Sequence, residues 1–415
     1  METVTAKDLK KPGFIEVLRT LPKDWIVSST RTSLFRFFYQ MVLPYLSIYT
    51  IALGANGSEL GLINSIAMAV AGFLGLFIGY LMDRIGPKKI YLIGILFLCS
   101  SWFIYGIAKS WLAIIPARIL FYFGFKTGTQ SCGTICANCL TKENRATAMS
   151  LCETLAAGIL GIIGPMIGAF VVGHSGGISV QGIRPLFFIS FAGNVLCFLL
   201  VFFKLSDRHW GAVATQNASP FSSIGEIFKH GKYLKRFIVV SVIMQLPEGM
   251  IIPFTQPFAA LRGANEFVLG GMVTGFAIAP LILGIPIGRL ADKIGKKRML
   301  FITAPLFWLS CVLLIFSKSS AMFIICGILQ GGFTINSVLT AALQFELIGP
   351  EYMGRWIGVL SFFQMIAQAV ISLIAGVIWD KIGPQYIFII PILLDICVRM
   401  PLLAGIHEEA NRQSL

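Results

Sequence analysis

Ionisable and amide side chains set inside long apolar runs are the residues of this chain able to do chemistry. Arg36, Arg118, Lys126, Glu153, Glu248 and the Asp395/Arg399 pair lie in stretches otherwise rich in Leu, Ile, Val, Phe, Ala and Gly. A charge in such surroundings is costly unless it faces a wet interior or a partner, so each marks a pathway or an ion pair. Arg36, Tyr39 and Gln40 share one helical face by their three- and four-residue steps. Around Glu248 the order is Gln245-Leu246-Pro247-Glu248-Gly249, and Pro and Gly flanking an acid predict an interrupted helix near mid-span. Broken helices at that depth are where solutes and ions bind, which makes Glu248 the first candidate for a protonatable or solute-contacting carboxylate; an ion pair locking two helices, with Arg36 or Lys126, is the alternative. Glu153 either joins a proton path or meets a basic loop. Asp395 and Arg399, four apart with the acid first, read as an internal pair.

Other chemistries lack their residues. There is no His-Glu-x-x-His, no Gly-x-Ser-x-Gly and no phosphate-binding Gly-x-x-x-x-Gly-Lys-Ser/Thr run, and His174, His209, His230 and His407 fall in loops and ends. An enzyme is therefore not expected, and with no nucleotide site any transport would be driven by an ion gradient. Cys132, Cys136 and Cys139 follow one helical face with Cys152 nearby, but no His or acid accompanies them, so they read as small apolar packing residues rather than a metal site. No metal and no cofactor are expected.

The elements that must position these groups are set by composition. Of 415 residues 56% are hydrophobic and 13% charged, with mean hydropathy +0.81, which excludes an ordinary water-soluble domain. Apolar runs near residues 30–52, 60–82, 89–107, 111–138, 146–173, 185–204, 235–259, 266–291, 299–316, 320–345, 355–379 and 386–406 each approach the ~20 residues that span a bilayer. The expected class is an all-α integral membrane protein with 12 transmembrane helices; continuous runs rather than ~10-residue alternation exclude a transmembrane barrel. The polar, basic first 27 residues lack a signal-peptide core and cleavage site, so the first span is expected to insert itself.

The net charge of +14 follows topology. Twenty-two Lys and Arg fall in the N-terminal tail, alternate loops and the C-terminal tail, against five on the other face (Lys109, Arg184, Arg262, Lys318, Lys381). Basic loops stay in the cytoplasm, so both termini are expected there, in a cell membrane, with anionic lipid rather than nucleic acid as the counter-charge.

A polar stretch, 205–232, divides the spans into two blocks of six, 28–204 and 233–406, flanked by tails 1–27 and 407–415. An offset of 209 superposes Pro44 on Pro253, Gly54-Ala55-Asn56 on Gly263-Ala264-Asn265, Gly79 on Gly288, Asp83 on Asp292 and Ile85-Gly86 on Ile294-Gly295. One constant offset over so many matches identifies an internal repeat of two six-helix bundles. The same offset places Arg36 on Gln245 and Tyr39 on Glu248, so the first and seventh spans carry polar groups at matched depth.

At the ends of the second and eighth spans the sequence reads Gly79-Tyr-Leu-Met-Asp83-Arg84-Ile-Gly86-Pro-Lys-Lys and Gly288-Arg-Leu-Ala-Asp292-Lys293-Ile-Gly295-Lys-Lys-Arg. Both resemble the signature loop of the major facilitator superfamily (MFS), and with twelve spans and the 6+6 repeat the resemblance covers essentially the whole chain. Asp83 and Asp292 each meet the negative end of their own helix dipole and so need positive partners elsewhere. By pseudo-symmetry these are Arg355 at the start of the eleventh span and Arg145 at the start of the fifth, with Gly79 and Gly288 permitting close approach. The pairs would form a cytoplasmic latch that exists in one orientation of the halves and biases alternating access.

The fifth span, with Gly158, Gly161, Gly164, Pro165 and Gly168, resembles the Gly-Pro-rich motif of the drug:proton antiporter branch; generic close packing is the alternative reading. The fourth span departs from that branch, since Arg118 is followed four residues on by Tyr122 rather than Gly. The family resemblance implies a cavity lined by the first, fourth, seventh and tenth spans, supplied here by Arg36, Tyr39, Gln40, Arg118, Lys126, Gln245, Glu248, Gln330, Asn336 and Gln344. It implies proton-coupled export of drugs or metabolites by a monomer; a proton-coupled or facilitative importer of a sugar or organic anion is the alternative. A non-transporting solute sensor is more remote, because the 28-residue central stretch and nine-residue tail leave no room for a signalling domain.

Overall fold

The computed structural model describes residues 21–140, 152, 158–207, 234–347 and 353–406. Its helices line up as twelve rods. The first half comprises α1 (Lys23–Val42, continued through a 3-10 turn at Leu43–Tyr45 into Leu46–Ala52), α2 (Gly57–Ile85), α3 (Pro87–Ile107), α4 (Ile114–Cys139), α5 (Ile159–His174) and α6 (Val180–Lys204). The second comprises α7 (Leu234–Ile243, a π turn at Pro247–Ile251, then Ile252–Leu261), α8 (Glu266–Ile294), α9 (Lys296–Phe316), α10 (Ser320–Gln330 and Gly332–Leu347), α11 (Met353–Lys381) and α12 (Tyr386–Leu394, a π turn at Asp395–Arg399, then Met400–Ala404). Among the described residues nine helices are long and apolar enough to cross a bilayer.

The 209-residue repeat recurs in the backbone. Asn56 caps α2 by accepting from Glu59 N–H at 2.8 Å, and Asn265 caps α8 by accepting from Val268 N–H at 2.9 Å. Gly86 (φ 93°) and Gly295 (φ 97°) end α2 and α8 in a left-handed conformation that an L side chain rarely adopts, so that α3 and α9 fold back at once. Pro44 lies where α1 leaves regular α geometry, and its counterpart Pro253 stands in the first turn after the π turn of α7 that Pro247 opens, because proline removes one N–H from the ladder. The interruption expected around Glu248 is this π turn.

α1 begins at Lys23, inside the stretch read from sequence as a tail. Its first two turns bury Trp25, Val27, Ser28, Ser29 and Arg31, and Asp24 accepts from Ser206 N–H at 2.9 Å and from the Ser206 hydroxyl at 2.5 Å. Small polar residues hid this segment from a hydropathy reading, although they are buried against neighbouring helices.

The hydrogen bonds traced between the halves among the described residues cluster at the end away from the basic loops. Gly57 and Ser58 N–H donate to the two Asp380 carboxylate oxygens at 2.9 and 2.7 Å, capping α2 with a residue of α11. The Ser58 hydroxyl donates to Gly376 O at 3.3 Å, Tyr45 to Glu266 O at 2.9 Å, and Thr274 to Ile162 O at 3.0 Å. Glycine makes this closure possible: a Cβ on Gly61 would run into Ser372 O, and one on Gly270 would lie 2.8 Å from Pro165 O. At the basic end, by contrast, a Cβ on Gly284 or Gly288 would meet nothing within 4 Å.

Candidate functional site

A cavity of about 420 Å³ opens between the halves at mid-depth. Six of the residues singled out from sequence line it: Arg36, Tyr39 and Gln40 from α1, Arg118 from α4, Glu248 from the π turn of α7, and Gln330 from α10. The wider turn at Pro247–Ile251 brings Glu248 to the cavity while Gly249 packs against α11, where a Cβ would come within 2.9 Å of Gln368 O.

The α1 and α4 wall is aromatic. Tyr39 stacks on Phe121 (ring centroids 5.3 Å apart), and Phe121 on Phe125 (6.1 Å). The Arg118 guanidinium lies 5.4 and 5.0 Å from the ring centroids of Phe121 and Tyr122 and donates from Nε to Asn64 Oδ1 at 3.1 Å, while its Nη1 is buried without an acceptor. Lys126, two turns along α4, is half-buried and interacts electrostatically with Glu248 across the halves.

Several expected residues lie elsewhere. Gln245 accepts from Gln368 Nε2 at 2.7 Å and, with Gln344 and Gln364, lines a separate polar cavity of about 200 Å³ within the second half. Asn336 is buried in that half and accepts from the Thr303 hydroxyl, so it holds α9 to α10 rather than facing the central cavity. Arg399 pairs with Asp395 on α12, Trp308 Nε1 donates to the same carboxylate at 2.6 Å, and Arg399 Nη1 points at Met244 Sδ at 3.0 Å. Glu153 and Arg145 lie outside the described residues.

Sequence reasoning missed Ser47, Thr255, Gln256 and Thr334, and used Tyr122 only as a departure from the antiporter pattern; all five line the cavity. Helical stepping would have found three of them: Tyr122 is four beyond Arg118, and Thr255 and Gln256 are seven and eight beyond Glu248. Arg31 was also missed. It is buried between the rings of Phe35 and Tyr91, 5.0 and 4.8 Å from their centroids, with Nε and Nη2 lacking acceptors.

The signature loops occupy the basic end. Gly79, Asp83 and Arg84 lie in the last two turns of α2, and Arg355 lies in the first turn of α11. Gly288, Asp292 and Lys293 occupy the matching turns of α8, where Asp292 and Lys293 are exposed. In α5, Gly158 caps the helix and Gly161 is buried, whereas Gly164 and Gly168 seat the backbone of α1: Cβ atoms there would meet Phe37 O at 2.8 Å and Met41 O. Pro165 faces α8 at Gly270.

The family model of the Major Facilitator Superfamily matches residues 32–258 and 237–398. The chain belongs to that superfamily and is a multi-pass membrane transporter rather than an enzyme. It is 25% identical over 297 residues to the multidrug resistance protein MdtG of Salmonella paratyphi C (strain RKS4594), covering 68% of this chain and 71% of that one. The MdtG protein of Salmonella typhi matches to the same extent. Among solved structures, the nucleoside transporter NupG superposes with a TM-score of 0.74 at 13% identity, covering 92% of this chain and 98% of NupG. A D-xylose-proton symporter superposes with a TM-score of 0.71 at 14% identity, covering 92% and 98%.

Proposed function

We propose that the chain is a secondary active transporter that exports a small organic solute in exchange for protons by rocking its two halves. The observation that carries this reading is the mid-depth cavity lined by Glu248 of the second half and Arg118 of the first, with Lys126 of the first half interacting electrostatically with Glu248. A carboxylate so placed exchanges its proton with solvent in one orientation and with the solute-bearing cavity in the other. The likeness to MdtG supports export. Closure at one end, with open space at Gly288 and an exposed Asp292 at the other, supports a latch in which Asp292 pairs with Arg145, and by the repeat Asp83 with Arg355, in the orientation that closes the basic end. In this reading the protein works as a monomer in the cell membrane with both termini cytoplasmic.

Liposomes holding a pH dye test the proposal. Solute-dependent proton movement that Glu248→Gln abolishes is the expected result. Solute flux with no proton movement would falsify antiport and favour the second reading, a facilitative or proton-coupled importer, which the three cations of the first half support.

A further inference from the structure

With Glu248 taken as the proton carrier, as proposed above, the second half offers that proton a path apart from the solute's. The cavity of about 200 Å³ between α7, α10 and α11 is walled mainly by hydroxyls and carboxamides, those of Ser241, Gln245, Thr340, Gln344, Ser361 and Gln364. Among the described residues none that lines it is ionisable, and none also lines the central cavity. Space of that size and polarity holds water, since one molecule needs only ~10–15 Å³ and two to four polar partners. Ser337 and Ala341, one and two turns beyond Thr334 toward the basic end, are the exposed residues of its lining, whereas Ser241 is buried.

Two polar stripes lead from this pocket to Glu248. Ser241, Gln245 and Glu248 follow along α7 at steps of four and three, and Ser361, Gln364 and Gln368 along α11 at steps of three and four, so each set shares a helix face. The stripes meet where Gln368 Nε2 donates to Gln245 Oε1 at 2.7 Å and where Gln368 O backs on Gly249, beside Glu248. On the central-cavity side Lys126, Tyr39 and Tyr122 act on Glu248, with Arg36 and Arg118 on the same lining. The side pocket presents neutral dipoles alone, which let a hydrated proton both enter and leave.

We infer that this side pocket is the proton's way between Glu248 and the basic end, so that the proton leaves while solute fills the central cavity. Protonated Glu248 gives its proton to an adjacent water and becomes a carboxylate. Each water along the pocket accepts one proton and releases another, and the last passes to the aqueous phase beyond Ser337.

The test needs no identified solute. The carboxylic acid C=O stretch of Glu248, assigned by its loss in Glu248→Gln, is followed by infrared spectroscopy after a pH jump on the full-length protein in nanodiscs. Thr334→Cys, on the wall of the central cavity, carries pyrene maleimide as a plug in the solute's place. The plugged protein is expected to relax within threefold of the unplugged rate, and at least tenfold more slowly once Ser361→Leu fills the side pocket. Ser361→Thr, which keeps the hydroxyl, should relax as the plugged protein does. Tenfold slowing by the plug alone, or no further slowing by Ser361→Leu, overturns the side route while leaving Glu248 as the carrier; Gln364→Leu serves on the same wall where Ser361→Leu fails to fold. A band that is absent or does not titrate removes Glu248 as the carrier, and the side route with it.

Discussion

Two arginines set within the helix bundles, Arg399 buried and Arg118 half-buried, solve the same physical problem differently. Arg399 is neutralised by Asp395 one turn back on α12, and that carboxylate is held in turn by Trp308 Nε1. Removing one member of a buried ion pair leaves the other uncompensated, at a cost of about 3–5 kcal/mol, whereas removing both is far milder. Asp395→Asn should therefore lower the unfolding temperature in detergent sharply, and Asp395→Leu combined with Arg399→Met should recover most of the loss. If the single and double variants unfold alike, the pair is not what holds α12 to α7 and α9. Arg118 has no carboxylate on its own helix turn; its Nε donates to Asn64 and its guanidinium lies against the rings of Phe121 and Tyr122 on the wall of the central cavity. Sequence patterns distinguished these two cases only in part: the four-residue spacing exposed the Asp395/Arg399 pair, but nothing in the spacing of Asn336 or Gln245 tells whether an amide faces the cavity or an internal neighbour. Both turn inward to Thr303 and Gln368, because helix rotation about its axis is set by packing partners far away in the chain.

Helix packing gives glycine two different meanings, and one structure separates them. Gly168 of α5 lies against Met41 O of α1, so an added methyl has nowhere to go; Gly288 of α8 faces open space. Gly168→Ala should destabilise the fold, by several degrees of unfolding temperature, with transport falling in proportion to the amount folded. Gly288→Leu should leave the unfolding temperature within a degree or two and still cut transport at least tenfold, because the orientation in which α8 closes on its neighbour is blocked. Full activity of Gly288→Leu would remove the latch from the mechanism. These elements were largely legible beforehand. Long apolar runs, the 209-residue offset and the Asn56/Asn265 and Gly86/Gly295 pairs determine helix number and ends, since local capping and hydropathy decide both. The start of α1 was not legible, because Ser28, Ser29 and Arg31 are polar by type and buried by tertiary contact alone.

At the scale of the whole molecule the orientation of the halves is an equilibrium, and the contacts that differ between its states are the ones able to shift it. In the orientation described here the end away from the basic loops is closed by Asp380 capping Gly57 and Ser58 and by the Tyr45 and Thr274 hydrogen bonds, all of them crossing from one half to the other. Hydrogen bonds to an ionised carboxylate contribute about 1.5–3 kcal/mol each, and each 1.4 kcal/mol is about a factor of ten in a population. Asp380 has a neutral counterpart that keeps its shape, so Asp380→Asn should shift the population toward the oppositely opened orientation by one to two powers of ten without unfolding the bundle. Ser47 of α1 lines the central cavity, and Ser47→Cys reports that shift when a membrane-impermeant thiol reagent is added from the side opposite the basic loops. Labelling above the native-cysteine background should rise at least tenfold when Asp380→Asn is added, and fall again when the solute that closes the site is present. Unchanged labelling would mean that the Asp380 cap forms in both orientations and contributes only to the fold of α2, leaving the Tyr45 and Thr274 contacts to set the balance between the halves.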